Sequence, residues 1–140
     1  MTELFTNLSK ERINIQQATG ALLHYPGQAL ATNLQELYGL EGITEVLLAE
    51  SFCDGIPLDK APFDSNFTYS GALTTSQVLQ HAIALFDTAL TYGTDSVPIV
   101  TLARVGKATV WADAHDTARS CQLALRRERL REPSSTRKDR

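Results

Sequence analysis

The sequence predicts an α+β fold, with a helical N-terminal half packed on a unit of helix, β-hairpin and helix. Apolar residues recur at helical spacing through the first half of the chain and again over residues 74–92. Residues 97–112 hold two runs rich in β-branched and apolar residues around a Val-Gly turn, a pattern typical of a hairpin. The 140 residues, 43% hydrophobic and 21% charged, fit one globular core. We therefore expect a single domain over residues 1–132 and a disordered basic tail over residues 133–140.

The N-terminal half is predicted to form three helices after a short helical turn at residues 2–8. Ser9 is the N-cap of the first helix, which stops at a Tyr-Pro-Gly sequence. The second ends at Gly39, because glycine favours the left-handed conformation found at helix C-termini. The three predicted helices cover residues 9–24, 28–38 and 42–52.

A loop is predicted over residues 53–66, because Gly55, Pro57 and Pro62 interrupt regular structure. Its three aspartates recur every five residues, which is not the spacing of an EF-hand calcium loop. A solvated crossover with its acids facing water is the simpler interpretation. A functional loop is the alternative, because long loops in compact domains often carry function. Residues 66–70 alternate aromatic and polar side chains and are a candidate third strand.

The strongest helix signal begins at Thr74. Thr74 and Gln77 have the spacing of a capping box, and Leu73 is placed to pack on Val78 as a hydrophobic staple. The helix is predicted to run to Tyr92. Its apolar stripe, which we expect to be buried, comprises Val78, Leu79, Ala82, Ile83, Phe86, Ala89 and Leu90.

The predicted hairpin has apolar residues on both faces, and such a sheet is normally covered on both sides. We therefore expect its outer face to bind a protein partner or a second copy of the chain. The expected contact residues are Ile99, Thr101, Val110 and Trp111. A last helix is predicted to follow, from its N-cap Asp113 to Arg131.

Charge is distributed unevenly along the chain, whose formal net charge is −3. Residues 126–140 hold seven basic and three acidic residues, a balance of +4, so the remainder carries −7. An acidic body argues against nucleic-acid binding by the body itself. A solvated helix end with a solubilising tail is the simpler interpretation of the basic end, and weak contact with nucleic acid or with an acidic protein surface is the alternative. Its candidate contact residues are Arg126, Arg127, Arg129 and Arg131.

Few residues are arranged for chemistry. Cys53 and Cys121 lie far apart without CxxC spacing, so we expect free thiols rather than a disulfide or a zinc site. His115 lies in an Asp-Ala-His-Asp group that could orient an imidazole. Both aspartates, however, already have roles at a helix N-terminus. We predict no catalytic residue, no metal site and no cofactor.

Three functional hypotheses follow from these patterns. The first is a small, non-catalytic protein-interaction module, either an oligomeric adaptor or an inhibitor of another protein. The second is a nucleic-acid-associated accessory protein that uses the C-terminal arginines, and the third is a small enzyme centred on His115. The N-terminus lacks the basic and apolar regions of a secretory signal, so we expect a cytoplasmic location and no membrane contact.

Overall fold

Two long helices, a hairpin and a third helix follow one another along the chain. The computed structural model describes residues 2–64, 66–92, 100, 101, 103–108, 110 and 111. Its elements are α1 (Thr2–His24), α2 (Leu30–Ser51), β1 (Asp54–Pro57), β2 (Ala72–Thr74) and α3 (Thr75–Thr91). The predicted α+β class is confirmed. No helix in the described part of the chain has the length and apolar character needed to cross a membrane.

The N-terminal half forms two helices rather than three. Ser9 lies inside α1, and Gly39 and Gly42 lie inside α2, so none of them begins or ends a helix. Gly39 does not adopt the expected left-handed conformation. Gly42 is required for packing instead, because a Cβ at this position would lie 2.8 Å from Cε1 of Phe86. Glycine here marks a close approach between α2 and α3.

The antiparallel hairpin is formed by β1 and β2. Its paired residues are Asp54 with Thr74, Ile56 with Leu73 and Pro57 with Ala72. Gly55 is therefore an extra residue in β1, and this bulge uses its positive φ of 83°, which favours glycine. The candidate third strand at residues 66–70 contributes a single bridge, between Lys60 and Thr68.

The hairpin predicted over residues 97–112 is wrong, because every described position from 100 to 111 is helical. Ala103 and Val110 are both fully buried. They lie seven residues apart, a spacing that places them on one face of a helix but on opposite faces of a strand. A Cβ on Gly106 would lie 2.5 Å from Cζ of Phe86, so this face packs on α3. Burial of this face therefore overrides the β-branched composition.

α3 begins and packs as predicted. Thr74 Oγ1 accepts a hydrogen bond from the main-chain N–H of Gln77, and the Gln77 side chain accepts one from the main-chain N–H of Thr74. This capping box is confirmed. The predicted stripe is buried or packed against the core along its whole length.

The core forms where α2 packs against both α1 and α3, with the hairpin resting on α2 and α3. Its buried apolar residues are Val46, Leu48, Ala49, Ile56, Leu58, Val78, Leu79, Ala82, Phe86, Ala89, Ala103 and Val110. Most of these residues come from α2 and α3. The buried positions of α1, in contrast, are the polar residues Arg12 and Thr19.

Other predictions concern residues outside the described part of the chain. They are the last helix from Asp113 to Arg131, the tail over residues 133–140, and the proposed roles of Ile99 and His115. The single domain over residues 1–132 also extends beyond the described residues. All of these stay predictions.

Candidate functional site

One face of α1 holds the loop that joins the two strands, residues 58–71, which we call the β1–β2 loop. Four α1 residues make up this face: Arg12, Gln16, Gly20 and His24. They are spaced four residues apart, so their side chains align along the helix. The loop meets this face at every second residue, through Asp59, Ala61 and Phe63.

Two α1 side chains bond the main chain of the β1–β2 loop. Arg12 Nη1 donates to the carbonyl of Asp59 at 2.5 Å, and the N–H of Ala61 donates to Gln16 Oε1 at 3.1 Å. Asp59 Oδ1 in turn accepts a hydrogen bond from the N–H of Ser70 at 2.8 Å. At Asp59, the interpretation of a solvated crossover is therefore wrong, because the carboxylate binds the main chain of the same loop at Ser70.

Gly20 lets the loop approach α1 closely. A Cβ on Gly20 would lie 2.6 Å from Cβ and 3.3 Å from the main-chain N of Phe63. The Phe63 ring then lies 6.1 Å from the His24 ring and 6.2 Å from the Tyr25 ring, measured between centroids. The His24 and Tyr25 rings meet edge to face at 4.7 Å. The end of α1 and the loop thus share one group of rings.

These three rings and Leu23 form an exposed surface, which we call the aromatic rim. Tyr25 is 68% exposed and Phe63 is 43% exposed. Beside the rim lies a groove of about 440 Å³ between α1 and the β1–β2 loop, which we call the α1 groove. Its lining residues are Gln16, Thr19, Gly20, Leu23, His24, Pro62, Phe63 and Asp64. No lysine or arginine lines it, and its carboxylate belongs to Asp64.

The same face of α1 reaches a buried ionic cluster that joins three helices. Arg12 Nε donates to Glu45 Oε1 at 2.7 Å, and His81 Nδ1 lies 2.6 Å from Glu45 Oε2. Glu41 accepts a hydrogen bond from Gln16 Nε2 at 2.7 Å and lies 3.6 Å from Arg12 Nη2. The side chain of Arg12 is 3% exposed and that of Glu45 is 0% exposed. Charges buried to this degree persist only when they are paired.

Burial and pairing shift two pKa values in this cluster. Desolvation is the main cause that raises the pKa of Glu41 above its ordinary value, against the opposing effects of Gln16 and Arg12. The hydrogen bond to Glu45 is the main cause that raises the pKa of His81, and burial opposes it. In its charged form, His81 joins Arg12 in balancing the two glutamates.

A carboxylate-oriented imidazole is also the arrangement of a general base. His81, however, is not among the described residues that line the α1 groove, a cavity of about 220 Å³ beside Arg12 or a cavity of about 260 Å³ beside Leu47. Within the described residues, no group of three His, Cys, Asp or Glu side chains is placed to hold a metal ion. The cluster joins α1, α2 and α3, because Glu45 on α2 contacts both Arg12 on α1 and His81 on α3.

Smaller cavities also lie among the described residues. One of about 220 Å³ lies beside Arg12, between α1 and the β1–β2 loop, and includes Phe67. The other, of about 260 Å³, lies between α2 and residues 105 and 106 and is bordered by the exposed side chains of Leu47 and Val105.

The contact residues predicted on the hairpin do not share one surface. Val110 is 0% exposed and belongs to the core, whereas Thr101 is exposed and Trp111 is 65% exposed. The cause is the helical conformation of this region, which places Val110 in the core. An interaction role for Thr101 or Trp111 stays a prediction. The other predicted contacts, Ile99, Arg126, Arg127, Arg129 and Arg131, lie outside the described residues.

Cys53 is disulfide-bonded, so the expected free thiol is wrong. None of the described residues is a free cysteine. Cys121, the chain's other cysteine, lies outside the described residues.

Sequence reasoning missed the polar face of α1 and its partners on α2. The available signal was the four-residue spacing of Arg12 and Gln16 on α1 and of Glu41 and Glu45 on α2. Charged residues at this spacing usually form a solvated helix face. Only the packing of the helices shows that this face is covered.

Comparison with known proteins finds no matching family model, no matching curated protein and no matching solved structure.

Proposed function

We propose that the protein is a small, non-catalytic protein-interaction module that binds a protein partner through the aromatic rim and the α1 groove. The observation that carries this proposal is a group of exposed rings held on an ordered frame. Tyr25 and Phe63 expose large apolar surfaces although both contact neighbouring rings. Aromatic residues are enriched where proteins bind one another and supply much of the binding energy.

The frame beneath the rim supports the proposal. The main chain at Phe63 is held in place by two contacts with α1. It packs closely against Gly20, and the N–H of Ala61, two residues earlier, donates a hydrogen bond to Gln16. Pro26 and Pro62 restrict the backbone directly beside the rim. A surface that is already ordered loses less conformational entropy when it binds. An adaptor or an inhibitor of another protein fits this arrangement, with self-association as the homo-oligomeric form of the same hypothesis.

The two alternative functions depend on residues outside the described part of the chain. Nucleic-acid binding needs the C-terminal arginines, and catalysis centred on the Asp-Ala-His-Asp group needs His115. Both stay predictions. The cytoplasmic location also stays a prediction, and the disulfide at Cys53 weighs against it because disulfides are rare in reducing compartments.

Two variants test the proposal. Tyr25→Ser with Phe63→Ser removes two of the three rings of the rim, and Phe67→Ser with Tyr69→Ser removes another exposed ring pair as a matched control. Wild type and both variants would be used to capture proteins from extracts of the native cells, with quantification by mass spectrometry. We expect a partner that the control variant retains and the rim variant loses.

Light scattering after size exclusion measures the molar mass of the same three proteins and so tests self-association. A dimer lost only in the rim variant would support a homo-oligomeric module. Equal capture and equal mass for all three folded proteins would overturn the proposal.

A further inference from the structure

We propose that the α1 groove receives an arginine side chain from the protein partner, stacked against the aromatic rim and paired with Asp64. This inference rests on the proposed function and specifies the chemistry of the partner. It depends on the charge of the groove, the aromatic residues that line it and the carboxylate of Asp64 among its lining residues.

The charge of the groove favours a cation. Asp64 is exposed and makes no ion pair with any described residue. The basic side chains that form ion pairs within the described part are engaged elsewhere, Arg12 and His81 with Glu45 and Lys107 with Asp87. An anionic ligand would therefore meet a carboxylate in the groove and no lysine or arginine to balance it.

The rings beside Asp64 add a second attraction for a cation. Phe63 directly precedes Asp64, and the His24 and Tyr25 rings lie within 6.2 Å of the Phe63 ring. The faces of aromatic rings carry negative charge density and attract cations, arginine more often than lysine. Because His24, Phe63 and Asp64 all line the α1 groove, both attractions act on a cation bound there.

Arginine fits this arrangement better than lysine does. Its guanidinium is planar, stacks on rings and pairs with a carboxylate through two parallel hydrogen bonds. The ammonium of lysine is a compact, strongly hydrated charge, which loses more hydration beside apolar rings. Tyr25 lies outside the groove lining, where it is placed to contact the partner's chain next to the arginine.

Three short peptides test this inference on the full chain. They are identical except for a central arginine, lysine or citrulline, which is the neutral analogue of arginine. Binding would be followed by NMR from the main-chain amide signals of the protein. We expect the arginine peptide to shift the amides of residues 23–25 and 63–64, the lysine peptide to bind more weakly, and the citrulline peptide to leave them unchanged.

Two variants localise the site. Asp64→Asn should weaken binding of the arginine peptide about tenfold, because it removes a charge-assisted pair. Glu36→Gln, at an exposed acid on α2, is the matched control and should leave binding unchanged. Equal binding of the arginine and citrulline peptides, or equal weakening by both variants, would overturn the inference.

The outcomes separate the inference from the proposed function. If the partner is lost with Tyr25→Ser and Phe63→Ser but retained with Asp64→Asn, and the arginine peptide does not bind, the rim binds proteins without an arginine contact. A dimer that depends on Asp64 would assign the groove to a second copy of the chain. It would overturn the inference that the arginine comes from a different protein.

Discussion

At Phe86, one fully buried ring is enclosed by two glycines from different parts of the chain. Gly42 lies against the ring from α2, and Gly106 lies against it from the helical residues beyond α3. Neither glycine ends a helix. At the residue scale, therefore, both positions are determined by contact with a neighbour, and the cost of glycine within a helix is offset by closer packing.

Replacing Gly42 by alanine tests this interpretation. The added Cβ would meet Phe86 at 2.8 Å, so the ring or α2 has to move. We expect Gly42→Ala to lower the free energy of unfolding by about 1–3 kcal/mol, as measured by urea denaturation. Gly39→Ala is the matched control, because nothing lies within 4 Å of a Cβ at that position. It should raise the free energy of unfolding by about 0.5–1 kcal/mol. Destabilisation by both substitutions would contradict the packing role.

The titration of His81 makes a second prediction at this scale. Its pKa is raised in the folded state, mainly by the hydrogen bond to Glu45, so the charged imidazole stabilises the fold. This contribution is complete below the pKa of the unfolded chain, about 6.5, and is lost as the pH rises through the folded value. The raised pKa of Glu41 acts in the same direction at lower pH, because the folded state holds that proton more tightly.

We therefore expect the contributions of these two groups to the free energy of unfolding to decrease as the pH rises. Urea denaturation between about pH 5 and about pH 9 would measure this. His81→Gln should flatten the dependence above about pH 6.5, since the titrating group is gone. An unchanged slope in that variant would show that His81 does not contribute.

At the element scale, α1 and the β1–β2 loop are matched in length. Four residues of a helix advance about 6 Å, and two residues of extended chain advance about 6.6 Å. Arg12, Gln16 and Gly20 therefore meet Asp59, Ala61 and Phe63 in register. Because the first two contacts are hydrogen bonds to main-chain atoms, the loop is ordered without forming a strand along α1.

Arg12 connects this loop to the ionic cluster, and its replacement should affect both. Arg12→Leu removes the arginine partner of Glu45, which is fully buried, and should cost about 3–5 kcal/mol of unfolding free energy. It should also speed proteolytic cleavage within residues 58–71. Replacing both Arg12 and Glu45 by leucine should restore part of the stability, because the fully buried charge of Glu45 is removed together with that of Arg12, while Glu41 keeps its hydrogen bond from Gln16. Lys10→Leu, at an exposed position on α1, is the control and should change stability by less than about 0.5 kcal/mol.

How far the sequence predicts these elements depends on what each one buries. Both α3 and its capping box were predictable, because the apolar stripe and the local capping residues place the start of the helix at the same residue, Thr74. α1 was harder, since Arg12 is buried while Leu23 is exposed, which reverses the usual apolar pattern. The helical conformation of the described positions between 100 and 111 was missed because their burial depends on Phe86, a distant residue that local patterns do not include.

At the scale of the whole molecule, the disulfide at Cys53 departs from the sequence prediction of free thiols. Two distant cysteines without a spacing motif carry no local signal of pairing. The candidate site was equally hidden, because the end of α1 and Phe63 are brought together only by the path of the chain around the hairpin.

The disulfide is directly measurable. Thiol titration of the denatured, unreduced protein should find no free thiol, and two should appear after reduction, matching the two cysteines of the chain. Cys53→Ser should lower the free energy of unfolding by about 2–4 kcal/mol. Alkylation of thiols at the moment of cell lysis would then test the cytoplasmic expectation, since a reduced Cys53 in cells favours that compartment and an oxidised one argues against it. Free thiols in the purified, air-oxidised protein would contradict the bond itself.

The matched lengths of α1 and the β1–β2 loop also limit how this chain can change in evolution. One residue inserted between Asp59 and Phe63 would reverse which side chains face α1 and would turn the Phe63 ring away from His24. One residue inserted between Arg12 and Gly20 would rotate the following contacts by about 100° around the helix axis. Sequences descended from this chain should therefore keep both lengths, or change them together, with four residues gained or lost in α1 for every two in the loop.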